Sequence, residues 1–254
     1  MDEGISPVVA QSIAALKAQA RPCLRLVPGG DGRSRLGGTP EMAGAWPRYD
    51  GRPHSCVAQL DLSEVRAAGG PEWLPAEGRL LFFYELEHGS WGLDVKDAGS
   101  AVVIHETGSP IAATEPDDLP DDAKLLAYPI AFAPGASYPS EERVAIDWSR
   151  LDAASTEALE RALMDLAPAA PAHQIGGYPF PVQSDGMEAE CQNLARRLGQ
   201  GESHTADWRL LLQLDTDEEA GVMWYDVGSL YFWIREQDAR AGDFSKVWTI
   251  LQSN

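Results

Sequence analysis

The sequence predicts an α+β fold of mainly antiparallel sheets with a few flanking helices, built by an internal duplication with a pseudo-twofold relation. Three motifs recurring in the same order carry this reading. A Gly-Gly-x-Pro loop comes first, Leu36-Gly37-Gly38-Thr39-Pro40 in one half and Ile175-Gly176-Gly177-Tyr178-Pro179 in the other. A Gln-Leu-Asp-x-x-Glu segment follows, running from Gln59 to Glu64 and again from Gln213 to Glu218. A glycine then opens an aromatic strand, Gly78-Arg79-Leu80-Leu81-Phe82-Phe83 and Gly228-Ser229-Leu230-Tyr231-Phe232-Trp233. The stretch between the first two motifs is longer in the second copy, which therefore carries an insert. The organisation expected is one domain over 1–254, with repeat one at about 22–150, a connecting helix and linker at 151–172, and repeat two at 173–254.

In chain order, residues 7–20 set Val9, Ile13, Leu16 and Ala20 on one side of a helix that packs on the edge of the fold. Cys23 to Val27 alternates as a short strand, which Pro28-Gly29-Gly30-Asp31-Gly32 ends. Both Gly-Gly pairs read as tight loops needing positive φ, since a phosphate loop would follow its glycines with lysine and here a proline follows. Trp46-Pro47 marks a loop. Ser55 to Leu60 is a strand, after which Asp61-x-x-Glu64 reads as a capping box for a short helix through Val65. A loop at 69–75 leads to the aromatic strand, 79–86. Short strands are expected at 101–106, 124–133 and 142–148, with an acidic, proline-bearing loop at 114–122.

Between the halves, Leu159, Ala162, Leu163 and Leu166 form one helical face, capped by Ser155 or Thr156 and stopped by Pro168. Residues 167–172 form a stiff linker. The insert of the second copy is helical: Met187, Cys191, Leu194, Ala195 and Leu198 share a face, Asp185-x-x-Glu188 caps it and Gly199 closes it. The strand 208–214 is apolar on both faces and hence central. An acidic turn at 215–221, a return strand at 222–225, a turn at 226–228 and the aromatic strand 229–234 complete a meander. Asp243 to Gln252 ends the chain as a last strand.

Composition excludes several function classes. With 254 residues, 44% of them hydrophobic and 23% charged, the chain is globular and long enough for a sizeable core. The 39 acidic against 20 basic residues give a net charge of −19, which repels a phosphate backbone and argues against nucleic acid. Cys23, Cys56 and Cys191 are far apart in sequence and form no C-x-x-C pair, so they are expected reduced and buried, with neither disulfide nor zinc site. Asp2 and Glu3 and the polar breaks after them do not fit a secretory signal, and no run is long enough to span a membrane. A cytoplasmic protein with no membrane partner is the expectation; the oligomeric state is not legible.

No catalytic, metal or nucleotide motif stands out, and no cofactor is expected. The acidic set Asp215, Asp217, Glu218, Glu219 and Asp226 is the best candidate for a hard cation. It departs from the EF-hand pattern, because glycine falls at the seventh position and no glutamate at the twelfth, so it reads as a solvated turn. Gln59 and Gln213 read as buried amides bonded to loop backbone. His173 reads as a loop histidine bonded to backbone, since no G-x-S-x-G elbow supplies a nucleophile. Most of the eight tryptophans fill the core, while Trp46, Trp73 and Trp224 lie near loops. The binding set expected is Trp224, Gln213, Asp215, Asp217, Asp226, His173 and Trp46, with no catalytic residue and no metal ligand.

Taken together, His173-Gln-Ile-Gly-Gly-Tyr-Pro179, Leu210-Leu-Leu-Gln-Leu-Asp-Thr-Asp217, Met223-Trp-Tyr-Asp226, Leu230-Tyr-Phe-Trp-Ile234, Asp243-Phe-Ser245, Leu36-Gly-Gly-Thr-Pro40 and Trp46-Pro47 resemble the YwqG-like family of bacterial proteins. The resemblance spans roughly 34–252. It implies a compact, internally duplicated α+β domain and brings no assigned reaction. The resemblance implies that a glycine is usual where Tyr225 stands here, between Trp224 and Asp226. The function expected is a non-catalytic binding protein whose acidic, tryptophan-bearing surface docks a basic protein partner. The alternative is a small-molecule or metal-dependent enzyme with a site between the repeats at Gln213, Asp215, Asp217, Asp226 and His173.

Overall fold

The computed structural model describes residues 6–87, 89–144 and 146–254; the N-terminal Asp2 and Glu3 lie outside them. In order, the elements are α1 (Pro7–Ala18), β1 (Arg21–Pro28), β2 (Arg35–Leu36), β3 (Arg48–Tyr49), β4 (Arg52–Pro53), β5 (Ser55–Asp61), α2 (Leu62–Ala67), β6 (Arg79–Tyr84), β7 (Ala101–Glu106) and β8 (Tyr128–Ser137). They continue with α3 (Ala153–Leu166), β9 (Gln174–Ile175), α4 (Met187–Arg197), β10 (Trp208–Asp215), β11 (Ser229–Arg235), α5 (Glu236–Arg240) and β12 (Trp248–Gln252). Among the described residues, no helix is long and apolar enough to cross a membrane.

Ten strands make one antiparallel sheet in the order β12-β11-β10-β9-β1-β8-β2-β5-β6-β7, and β3 and β4 form a separate ribbon. The sheet curls until it is nearly closed and barrel-like. Phe82 of β6 and Phe232 of β11 stand near opposite ends of that order, yet their rings meet edge to face at 5.1 Å. Near the seam, Trp248 Nε1 donates to the Gly92 carbonyl at 2.8 Å and the Leu251 N–H to the Trp91 carbonyl at 3.1 Å. This curl explains why β5, β6, β10 and β11 are apolar on both faces. One face fills the interior around Leu60, Phe82, Leu212 and Phe232. The other takes α4 against Trp208, Tyr231 and Trp233, or Met42 against Leu81 and Phe83.

The strand order has the same form from either end: a three-strand meander, then a two-residue strand, then a long central strand. β1 and β8 pair antiparallel in the middle, from Arg21 with Ser137 to Pro28 with Ile130. Gln59 faces Arg35 of β2, Gln213 faces Gln174 of β9, and both β5 and β10 shift register a few residues before their glutamine. The glycine pairs have the positive φ expected of them: +58° and +75° at Gly37 and Gly38, +70° and +74° at Gly176 and Gly177.

Several expected elements are corrected. The strand at 142–148 is absent; short 3-10 turns stand at Glu141–Arg143 and Trp148–Arg150, with Ala145 outside the described residues. Arg143 is turned inward to ion pairs with Asp185 and, at 2.8 Å, Glu188, which holds this segment off any strand edge. Those are the two carboxylates expected to cap α4, so that helix, with Gly186 at its N-cap, has no side-chain cap. Asp152, not Ser155 or Thr156, caps α3 by accepting the Ser155 N–H. Asp61 caps α2, but the box is not closed by Glu64: the Asp61 N–H goes to Ser34 Oγ at 2.9 Å, and Ser34 donates to Glu64 at 2.6 Å. The strand begun at 124 instead runs Tyr128–Ser137, because β1 pairs it along its whole length. The return strand at 222–225 reduces to one bridge, Asp217 with Val222, and β10 pairs β11 directly.

Candidate functional site

The segment 216–228, which links β10 to β11, is held from beneath by the residues the sequence singled out. His173 is buried just ahead of β9. Its Nδ1 accepts the Asp215 N–H at 2.9 Å, and its Nε2 lies 3.2 Å from Asp217 Oδ2. An acceptor at Nδ1 puts the proton on Nε2, so His173 is the neutral tautomer donating to Asp217. Burial lowers its pKa, opposed by the hydrogen bond and the charge of Asp217. Both ring nitrogens are engaged, so His173 has no lone pair free to act as a general base.

Asp215 and Asp217 are equally occupied. Asp215 Oδ2 accepts the Ala172 N–H at 2.8 Å, and its Oδ1 accepts the Ser229 hydroxyl at 2.7 Å and the Thr216 N–H at 3.0 Å. Asp217 Oδ1 accepts the N–H groups of Glu219 at 2.9 Å and Ala220 at 3.2 Å. The acidic turn is thus solvated only at Glu218 and Glu219; the two aspartates face inward. Trp224 is buried, donates Nε1–H to the Asp215 carbonyl at 3.1 Å and meets Tyr84 edge to face at 6.1 Å. Tyr84 donates to the Ser90 carbonyl, which ties this segment to the loop 89–94.

On that base the segment presents apolar side chains to solvent. Met223 is 58% exposed, Tyr225 50% and Val227 56%. Tyr225 and Val227 have φ of +51° and +52°, a left-handed backbone that side-chain-bearing residues adopt at a cost. The Tyr225 ring lies 5.2 Å from that of Trp91, and its hydroxyl sits over Gly89, where an added Cβ would come within 1.1 Å of it. Trp91 and Leu93 are themselves exposed and, with Tyr49, Asp50, Asp94 and Asp97, line an open cavity of about 870 Å3. Asp226 points its charge outward between Tyr225 and Val227, and neither it nor Asp50 has an ion-pair partner among the described residues. Replacing Val227 by Asn, which tolerates the left-handed region, is expected to raise the unfolding free energy by about 1 kcal/mol and the melting temperature by about 2–4 °C. Thermal and urea unfolding of the two proteins check this.

Of the seven residues expected to bind, His173, Gln213, Asp215, Asp217 and Trp224 come together as internal supports, and Asp226 alone is exposed. Gln213 is fully buried; it accepts the Phe180 N–H at 2.9 Å and donates to the Phe180 carbonyl at 3.3 Å. Gln59 likewise accepts the Glu41 N–H at 2.8 Å and donates to the Arg33 carbonyl at 3.0 Å. Trp46 belongs to the other half: it donates to the His54 carbonyl at 2.8 Å and meets Phe83 edge to face. Among the described residues, no three His, Cys, Asp or Glu side chains gather to hold a metal ion. Sequence reasoning missed Trp91, Met223, Tyr225 and Val227. The signal for one of them was present, since the resemblance implied a glycine where Tyr225 stands, and Tyr225 has a positive φ.

The architecture is that of an α+β protein dominated by one curled antiparallel sheet. Residues 34–253 match the family described as Domain of unknown function (DUF1963), and the chain belongs to that family, of which the YwqG-like proteins are the known type. No curated protein matches the chain.

Proposed function

We propose that this is a non-catalytic, cytoplasmic binding protein that docks a basic protein partner on the surface formed by Trp91, Met223, Tyr225 and Val227 with Asp226 and Asp50. The observation that carries this reading is Tyr225. It is a half-exposed aromatic kept on left-handed backbone, stacked on a second exposed aromatic and fixed from below by the His173, Asp215, Asp217 and Trp224 network. Strain held in place by its surroundings is a mark of function. Exposed aromatic faces take lysine and arginine side chains, and the unpaired carboxylates beside them favour such a partner and disfavour nucleic acid or an anionic membrane. Three free, buried cysteines fit a reducing compartment. We also infer that 22–150 and 173–254 are two copies of one unit within a single domain, related by an axis between β1 and β8; the palindromic strand order and the matching Gln59 and Gln213 support it.

The test compares wild type with a Trp91→Ala, Tyr225→Gly variant as bait in lysate of the native host at about 0.05 M and about 0.5 M salt. A protein of basic pI should be retained by wild type at low salt, released at high salt, and held at least about tenfold less by the variant. Tyr225→Gly alone should unfold within about 1 kcal/mol of wild type, because relief of the left-handed strain offsets the lost packing. Capture that is equal for both baits, or indifferent to salt, contradicts the proposal.

A further inference from the structure

We propose that a second site, the cleft between β1, the loop 69–73, the turn at Gly176 and Gly177 and the start of α4, binds a small organic anion with an apolar body, its charged end on Arg21. The cleft measures about 930 Å3, the size of a small-molecule pocket. It does not include the surface of Trp91 and Tyr225.

The two glycine turns differ in a way that defines the cleft. At the first, the space over the glycines is filled: an added Cβ would meet the Leu126 carbonyl at 2.4 Å from Gly37 and the Ala127 side chain at 2.8 Å from Gly38. At the second, Gly177 is covered as closely by the Ser137 side chain, whereas at Gly176 the nearest atom is Pro71 Cγ at 3.2 Å, part of the cleft wall. The turns differ at the first glycine of each pair: Gly37 is closed over by the 125–126 backbone, and Gly176 borders the cleft. Gly69, Gly70 and Gly186 extend the backbone-lined surface, which lets a ligand approach closely.

One lining cation in the cleft has no ion-pair partner among the described residues. The net charge is −19, yet three arginines and two glutamates line this space. Arg143 is saturated by Asp185 and Glu188, and Arg209 pairs with Glu236 at 2.7 Å. Glu72, on the rim, is exposed. Arg21 has no ion-pair partner among the described residues; its guanidinium is held 4.0 Å from the centre of the Tyr178 ring. A guanidinium oriented by an aromatic face offers its fork to a carboxylate or phosphate. Pro22, Leu24, Pro71, Trp73 and Leu210 supply the apolar wall. Because the −19 field repels anions at long range, a bare ion gains little here, and the apolar body must contribute most of the affinity.

Anilinonaphthalenesulfonate, an anion on an aromatic body, is the probe, titrated by fluorescence with near-ultraviolet circular dichroism confirming the native fold throughout. Wild type and Tyr225→Gly should bind it equally, whereas Arg21→Gln should weaken it about tenfold. The uncharged N-phenylnaphthylamine should bind wild type and Arg21→Gln alike, and Trp73→Ala should weaken both probes. Displacement by phenylbutyrate but not phenyl phosphate assigns a carboxylate head, and the reverse a phosphate; inorganic phosphate should displace neither probe. No binding to native protein, equal affinity in Arg21→Gln, loss in Tyr225→Gly, or displacement by neither organic anion overturns the proposal.

Discussion

His173→Phe is expected to lower the unfolding free energy by about 3–5 kcal/mol, measured by urea denaturation at neutral pH. The ring of His173 accepts the Asp215 N–H and donates to Asp217, whose carboxylate is 8% exposed. Phenylalanine fills the volume but leaves the buried Asp217 Oδ2 without its His173 donor and the Asp215 N–H without its acceptor. The pH dependence carries a sign. Burial depresses the pKa of His173 in the folded state. Its contribution is therefore complete above the unfolded value of about 6.5 and is lost as pH falls through the lower folded value. The gap between wild type and variant should narrow as pH falls from about 7 to about 5. A gap that is constant or widens over that range would mean that the imidazole is not the neutral donor.

Phe232→Ala should cost a similar amount, about 3–5 kcal/mol, through lost transfer energy and the cavity left behind. Phe232 is fully buried and touches Phe82 across the interior, at the point where the two ends of the sheet face each other. The deletion therefore tests the curl of the sheet as well as local packing. Leu126→Ala, at a side chain 83% exposed, is the control and should stay within about 0.5 kcal/mol. Comparable losses at both positions would mean that the sheet does not close around Phe232.

The parts of this fold that were legible in the sequence were those set by local physics. Gly37, Gly38, Gly176 and Gly177 announced turns because their backbone needs positive φ. The double-sided apolar run of β10 announced a strand buried on both faces, though not that the sheet curls to bury it. What depended on distant partners was not legible. Asp185 and Glu188 have the spacing of a helix cap, and only the arrival of Arg143 from 45 residues away redirects them. In the segment 222–228, Val222 and Trp224 are buried and Met223, Tyr225, Asp226 and Val227 exposed, with left-handed backbone at Tyr225 and Val227 and no strand pairing beyond one bridge. Trp224 and Tyr225 are neighbours in sequence, yet one supports the surface and the other forms it. Sequence patterning named the support, His173, Asp215, Asp217 and Trp224. The exposed partner Trp91 comes from a loop more than a hundred residues away, which no local pattern joins to Tyr225.

The surface of Trp91 and Tyr225, and not the cleft or another face, is expected to receive the basic partner. Hydrogen-exchange mass spectrometry of the protein alone and with the protein it captures measures that directly. The expected result is slowed exchange in 89–94 and 223–228 on complex formation, with β1, α4 and the 69–73 loop unchanged. Unchanged exchange in 89–94 and 223–228 while protection develops elsewhere would contradict the account.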